Sequence, residues 1–276
     1  MAQPQRQYDL KAIVKTLVTE DDEPVDNLFS EKQQRLLTEP LYSSWTPPPR
    51  EATYESTQPA AAPRPFLAAA NVGIFFSPRE SPLVPDMFLS LDVEPGAEWD
   101  ADEMRSYFVW EFRKVPDVAV EVVSNKEGNE LGSKLRRYAE WGIPYYVVFD
   151  PLRQLSEDVL RVYETGFPKR YRLREDWKLA LTGLRLTLWE GEFEGVHDTW
   201  LRWCDAQGQL IPTGNEGRAQ AEQRTTQATE RAEREAERAE REAERAEREA
   251  ERAARAEAEV AQLRAELARL RGDSQS

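Results

Sequence analysis

Residues 118 to 123 read Val-Ala-Val-Glu-Val-Val, a β-branched run typical of a strand buried on both faces, and Glu121 stands inside it. A carboxylate left bare in such a strand costs several kcal/mol, so something must pair with it or bind there. Downstream, residues 128–141 have helical character, with Leu131, Leu135, Tyr138 and Ala139 at helical spacing and Gly142-Ile143-Pro144 as a stop signal. Lys134 and Tyr138 lie one turn apart on that helix. Upstream, residues 83–91 predict another apolar strand, with Asp86 near its start and immediately after a proline. If the two strands pair, Asp86 and Glu121 can converge on one divalent cation, while Lys134 arrives from the helix to neutralise charge or orient a water. Oxygen-only ligands suit magnesium or manganese, which keep several waters and bind through one or two carboxylates plus substrate phosphate. The chemistry offered by this set is metal-assisted phosphodiester hydrolysis.

Each residue also has a plainer reading. Asp86 after a proline suits a strand entry or turn. Lys134 with Glu130 four residues earlier suits a surface ion pair worth roughly 0.2–0.5 kcal/mol. A salt bridge to Arg136, Arg137 or Lys134 would account for Glu121 without a metal. Lys126, at the end of the Glu121 strand, competes with Lys134 for the lysine role. Asp117 competes with Asp86, but it opens the strand that carries Glu121, and four residues along a strand span about 13 Å, too far to share one ion.

The elements that must position these groups form a strand, helix, strand unit. Its second strand is Tyr145-Tyr146-Val147-Val148-Phe149, ending at Asp150-Pro151, and a right-handed crossover is the default. Alternating segments at 159–164, 170–173 and 184–190 predict antiparallel strands, with Gly183 and Gly191-Glu192 as turns. Ahead of the core, Ser30 and Gln33 have capping-box spacing and start a short helix, with Leu36-Leu37 on the side that packs against the sheet. Residues 46–65, with Pro47-Pro48-Pro49, Pro59 and Pro63, read as an exposed loop, and residues 66–76 begin the sheet. The expected fold class is α/β, a mixed central sheet flanked by helices. Trp189, Trp200 and Trp203 have Leu and Phe neighbours rather than lysines, which favours packing over base stacking.

Near Gly214 ordinary globular sequence gives way to alanine, glutamate and arginine. The 276 residues therefore divide into an N-terminal extension at 1–65, an α/β domain at 66–213 and a helical tail at 214–276. No apolar run of about 18 residues and no N-terminal signal pattern is present, so a cytoplasmic location is expected, with no membrane span. Cys204 and His197 are the only residues of their types, which excludes an internal disulfide, a Cys/His zinc site and histidine-pair chemistry. Cys204, between Trp203 and Asp205, is expected to pack.

At the candidate site the chain resembles the Uma-two family of restriction endonucleases, a branch of the PD-(D/E)XK nuclease superfamily. Val-Pro-Asp at 84–86, Pro-Asp-Val-Ala-Val-Glu-Val-Val-Ser-Asn at 116–125, Gly-Ser-Lys-Leu-Arg-Arg-Tyr at 132–138 and Tyr-Tyr-Val-Val-Phe-Asp-Pro at 145–151 carry the resemblance. AANVGIFF, YFVWEF, LRLTLWEGEFEG and WLRWCDAQGQLIPTG extend it over roughly residues 8–215. The resemblance implies a restriction-endonuclease-like core, with Asp86 as the first metal-binding aspartate, Glu121 as the second acid and Lys134 as the lysine. One departure stands out: Val123 occupies the position, two after Glu121, where the superfamily motif has lysine, so Lys134 on the following helix would take its place. The resemblance also implies Mg (or Mn) as cofactor and DNA as substrate.

The charge is awkward for such an enzyme. From Glu216 onward there are 13 Arg and 16 acids, which leaves 24 Lys plus Arg against 35 acids, a net of −11, in the preceding part. Avid nonspecific DNA binding is not expected of that surface. A local phosphate groove would need Lys126, Lys134, Arg136, Arg137, Lys169, Arg170, Arg172 and Arg174 to share a face. In the tail, REAERAE occurs at 234–240 and 241–247 and REAERAA at 248–254, a heptad repeat of strong helix formers. Alanines 236, 239, 243, 246, 250 and 253 form an a/d seam flanked by pairs such as Glu237 with Arg241. Val260, Leu263, Leu267 and Leu270 make the distal seam stickier, which points to a homodimer through a coiled coil, although the register slips near Glu257; a single solvated helix fits the alanine part nearly as well. Two functions follow: a metal-dependent DNA endonuclease, or a catalytically inactive nuclease-fold protein acting as a coiled-coil scaffold.

Overall fold

A computed structural model of the chain describes residues 27–49, 64–94, 105–124 and 129–273. It divides into two compact units, Met1–Asn215 and Glu216–Ser276. The elements in chain order are α1 (Leu28–Ser44), β1 (Phe66–Ala70), β2 (Ile74–Phe75), β3 (Met87–Leu91), β4 (Tyr107–Phe108), α2 (Val109–Phe112), β5 (Val118–Val122), α3 (Leu135–Trp141), β6 (Tyr145–Phe149), β7 (Leu160–Gly166), β8 (Arg170–Leu173), β9 (Lys178–Leu179), β10 (Leu184–Phe193), β11 (Val196–Cys204) and α4 (Gly214–Asp273).

The central sheet has six strands in the order β1-β3-β5-β6-β7-β8. Only β5 and β6 run parallel; every other neighbour is antiparallel. Parallel neighbours need a crossover, and residues 129–141 supply it as a helix. Strands β3, β5 and β6 are buried at every position, because both faces of the sheet are covered. On one face Met87, Val118, Val120 and Val147 pack with Leu37 and Leu41 of α1 and Trp203 of β11. On the other, Phe88, Ala119, Val123, Tyr146 and Val148 pack with Tyr138 and Trp141 of α3. A second sheet, β11-β10-β9, and the parallel pair β2-β4 complete the domain. The fold is the expected mixed α/β sheet with flanking helices.

Four local differences from the sequence expectations have physical reasons, one being that Gly191 and Glu192 pair within β10 while Glu194 (φ 48°) and Gly195 (φ 78°) make the hairpin turn. The first helix starts at Leu28 rather than Ser30, because the Asn27 side chain caps it by accepting the Ser30 N–H at 2.9 Å. Ser30 is then inside the helix, and Gln33 turns to β11, exchanging hydrogen bonds with Leu201 O at 2.8 Å and Leu201 N at 2.9 Å. The apolar run 83–91 becomes a strand only from Met87, since Pro85 has no N–H to give the ladder; Leu83 instead bridges to Ile74. The third difference is β11, whose polar first half, Val-His-Asp-Thr, hides its period. The expected helix stop holds: Gly142, at φ 82°, donates to Tyr138 O at 3.1 Å and Ala139 O at 3.0 Å.

Trp200 and Trp203 are buried, and Trp203 Nε1 donates to Leu37 O at 2.8 Å, as packing residues do. Trp189 lies under the Arg202 guanidinium, 4.8 Å from ring centroid to Cζ, and Cys204 is buried. In the second unit, α4 carries Glu-to-Arg pairs one turn apart, Glu237 with Arg241 at 3.3 Å and Glu244 with Arg248 at 3.0 Å. Among the described residues no helix is long and apolar enough to cross a membrane.

Candidate active site

The antiparallel register between β3 and β5 pairs Met87 with Val120, Phe88 with Ala119 and Leu89 with Val118. Continued by one step, it would set Asp86 opposite Glu121, and the Asp86 charge is near enough to push the Glu121 carboxyl up. The backbone ladder ends there and the Asp86 side chain takes it up. Its Oδ2 accepts the Val122 N–H at 2.7 Å. Its Oδ1 accepts from Gln34 Nε2 of α1, also at 2.7 Å. Gln34 is itself locked to Asn71, donating to Asn71 Oδ1 at 3.2 Å and accepting from Asn71 Nδ2 at 3.0 Å. The Asn71 N–H donates to Asp86 O at 3.3 Å, so helix, turn and strand all fix the acid.

Glu121 is 2% exposed, and by strand alternation it shares the face of Ala119 and Val123, toward α3. Lys134 Nζ donates to its Oε2 at 2.9 Å and Tyr138 Oη to its Oε1 at 2.9 Å. These donors, one turn apart, grip the two carboxylate oxygens separately. Burial pushes the Glu121 carboxyl up to about 8, a rise that Asp86 reinforces and that the Lys134 charge and the two hydrogen bonds oppose. Burial also works against the Lys134 charge, but Glu121, Glu130 and Asp86 together hold its ammonium above the ordinary lysine value. The Tyr138 hydroxyl, wholly buried, is raised well above the ordinary tyrosine value and stays a donor.

Lys134 owes its position to a wide turn, Glu130–Lys134, in π geometry just before α3. Gly132 breaks the helical path at φ −113°, ψ −105°. A Cβ there would stand 1.8 Å from Asn129 Oδ1, so a larger residue would have to displace the Asn129 side chain. Glu130 opens the turn and is 5% exposed, which sets aside a surface ion pair. Its Oε1 lies 3.8 Å from Lys134 Nζ, and its buried Oε2 has no hydrogen-bond partner among the described residues. Below, Tyr146 Oη donates to Glu130 O at 3.0 Å, and the Tyr146 ring packs on Tyr138 at 5.0 Å and on Tyr171 at 5.7 Å. An aromatic layer thus holds the turn to the sheet.

The competing residues are placed elsewhere. Asp117 sits at the opposite end of β5, accepting from Leu91 N and Lys114 Nζ, both at 2.7 Å. Lys126 lies outside the described residues. Arg136 is exposed, and Arg137 lies over the Trp141 ring at 5.2 Å while donating to Ser81 O. Lys169 donates to Glu140 O at 3.2 Å, and Arg174 pairs with Glu164 and Asp176. Arg170 and Arg172 remain exposed on β8.

Among the described residues, no three His, Cys, Asp or Glu side chains gather closely enough to hold a metal unaided. The donor set present is two carboxylates on adjacent strands, with no nitrogen or sulfur. That chemistry fits magnesium or manganese, which complete their shells with water and substrate oxygens, and does not fit zinc. Sequence reasoning did not find the roles of Gln34, Asn71, Tyr138 and Glu130. The one-turn spacing of Tyr138 from Lys134 was a usable signal, and the 130/134 spacing was a second; Gln34 and Asn71 gave none.

No curated protein and no solved structure matches the chain significantly. The model of the Uma2 family, described as "Putative restriction endonuclease", matches residues 55–189. That stretch contains Asp86, Glu121, Lys134 and the mixed sheet of a restriction-endonuclease-like fold, while α1 and the tail lie outside it. Over residues 55–189, then, this chain is similar to the Uma2 family of restriction endonucleases.

Proposed function

We propose that the chain is a magnesium- or manganese-dependent endodeoxyribonuclease of the cytoplasm, with Asp86 and Glu121 holding the cation and Lys134 acting beside them. The observations that carry this reading are the Asp86 carboxylate held on Val122 N–H, next to Glu121, at 2.7 Å and the Lys134 ammonium 2.9 Å from Glu121. A divalent cation bound there supplies Lewis-acid stabilisation of a phosphoryl group and a more acidic bound water. Asp86 presents its carboxylate in an orientation fixed by Val122 N–H and Gln34. Tyr138 keeps the Glu121 carboxylate from turning away, and the apolar walls around it exclude bulk water. Lys134, being partly exposed, can donate to a phosphoryl oxygen or to the attacking water from the same point. One observation favours the scaffold alternative: both oxygens of Glu121 already have donors, as in a structural ion pair.

Calorimetric titration of Mn²⁺ and Mg²⁺ into the full chain separates the two, run with Glu121→Gln and Asp86→Asn and paired with cleavage of supercoiled plasmid. Asparagine is chosen because it can still accept from Val122 N–H. The expected result is metal binding by the native chain, lost in both variants, with cleavage falling by more than about 10²-fold. Absence of binding by the native chain, or equal binding by Glu121→Gln, overturns the proposal.

A further inference from the structure

Glu130 is a buried acid with one oxygen unpartnered among the described residues, a state that costs about 1–3 kcal/mol, and more for a charged group. Its other oxygen faces the Lys134 ammonium at 3.8 Å, too long for a hydrogen bond, while the same ammonium sits 2.9 Å from Glu121. Lys134 therefore stands between two carboxylates and bonds only one of them. Closing the longer gap to a charge-assisted bond of about 2.8 Å needs a shift of about 1 Å. The lysine has a flexible stem and is a quarter exposed, so that shift is open to it.

We infer that Glu130 is the second seat of the Lys134 ammonium, a positioning residue that receives it when Glu121 is taken by a divalent cation. The inference rests on the metal-site reading above. With a cation between Asp86 and Glu121, Lys134 gives up its bond to Glu121 Oε2 and would otherwise be left as an unpaired charge beside a dication. Moving to Glu130 gives it a new anionic partner, satisfies the bare Glu130 carboxylate, and keeps the ammonium within reach of a phosphate at the site. The π turn is the device that makes this possible: it places Glu130 and Lys134 on the same side, four residues apart, with Glu130 pinned through its carbonyl by Tyr146.

The test is a double-mutant cycle in the full chain, read as Mn²⁺ affinity by calorimetry, with Glu130→Gln, Lys134→Met and the pair of substitutions together. Glu130→Gln is expected to weaken Mn²⁺ binding by about 10-fold or more while Lys134 is present, the scale seen for supporting residues of metal sites. In the Lys134→Met background the same change should move affinity by less than about 2-fold. Circular dichroism of each metal-free variant checks folding. Glu130→Asp keeps the charge but draws it back by one methylene, and should give an intermediate affinity even if the glutamine variant does not fold. A loss of equal size in both backgrounds, or native affinity in Glu130→Gln or Glu130→Asp, overturns the inference and leaves the metal site standing. Failure of the native chain to bind Mn²⁺ defeats the metal-site reading itself, and this inference with it.

Discussion

Glu121 holds its proton up to about pH 8, against 4.5 for an ordinary glutamate, chiefly because it is buried. Between those values the folded chain keeps a proton that the unfolded chain has released, so stability falls as pH rises through the window and the loss is complete above it. Lys134 is shifted upward from an already high value, so its charge does not change over that range. Glu121→Gln should therefore gain stability relative to the native chain near pH 8.5 compared with near pH 5, by more than about 1 kcal/mol, since one pKa unit corresponds to 1.36 kcal/mol. Thermal melts at the two pH values measure it, and a difference that does not vary with pH would mean that Lys134 keeps Glu121 ionised throughout. Tyr138→Phe should destabilise by about 1–3 kcal/mol, because the buried Glu121 Oε1 loses its donor; urea denaturation gives the number.

The elements bring together what is distant in the chain: β3 delivers Asp86, β5 Glu121, the π turn Lys134, and α1 the amide that aims Asp86. Gln34→Leu should leave the fold intact, since its neighbours Leu36 and Leu37 remain in the core, yet weaken Mn²⁺ binding by about 10-fold by releasing Asp86 Oδ1. Native affinity in that variant would show that Val122 N–H alone holds the acid. The parts of this arrangement legible in the sequence were those written in one strand or one helix. Glu121 announced itself by breaking an apolar run, and Lys134 and Tyr138 by one-turn spacing. The helix stop at Gly142 was legible for the same reason. What could not be read was set by contacts between distant segments. Gln34 and Asn71 are ordinary polar residues until α1 meets the turn before β3. Glu130 looked like half of a surface pair because the burial of its side chain depends on the tyrosine layer of β6 and β8. The start of β3 was misplaced by apolar residues that precede Pro85, where composition says strand and the missing N–H forbids it.

For the whole chain, charge and the tail set the terms of association. With a net of −11 before Glu216, DNA affinity should come from a few local contacts, so its dependence on salt should be shallow in filter-binding measurements between low and physiological ionic strength. In α4, Val260 and Leu263 are 46% and 54% exposed in the single chain, and the alanine seam before them buries little. We expect the full chain to dimerise through this distal seam, and Leu263→Asp to shift sedimentation equilibrium toward monomer by 10-fold or more in dissociation constant, about 1.4 kcal/mol; a native chain that is monomeric at high concentration would leave α4 a solitary charged helix. The end of the β3–β5 ladder carries a different consequence, one that concerns inheritance. Asp86 occupies a backbone acceptor's place at Val122, so selection for folding alone retains an aspartate or asparagine there in any descendant, active or not. Glu121 gives the backbone ladder nothing: its partners are the Lys134 and Tyr138 side chains, which can change along with it. In a lineage released from catalysis Glu121 should be the first of the two acids to drift, which makes it, and not the aspartate, the residue whose presence marks a working enzyme.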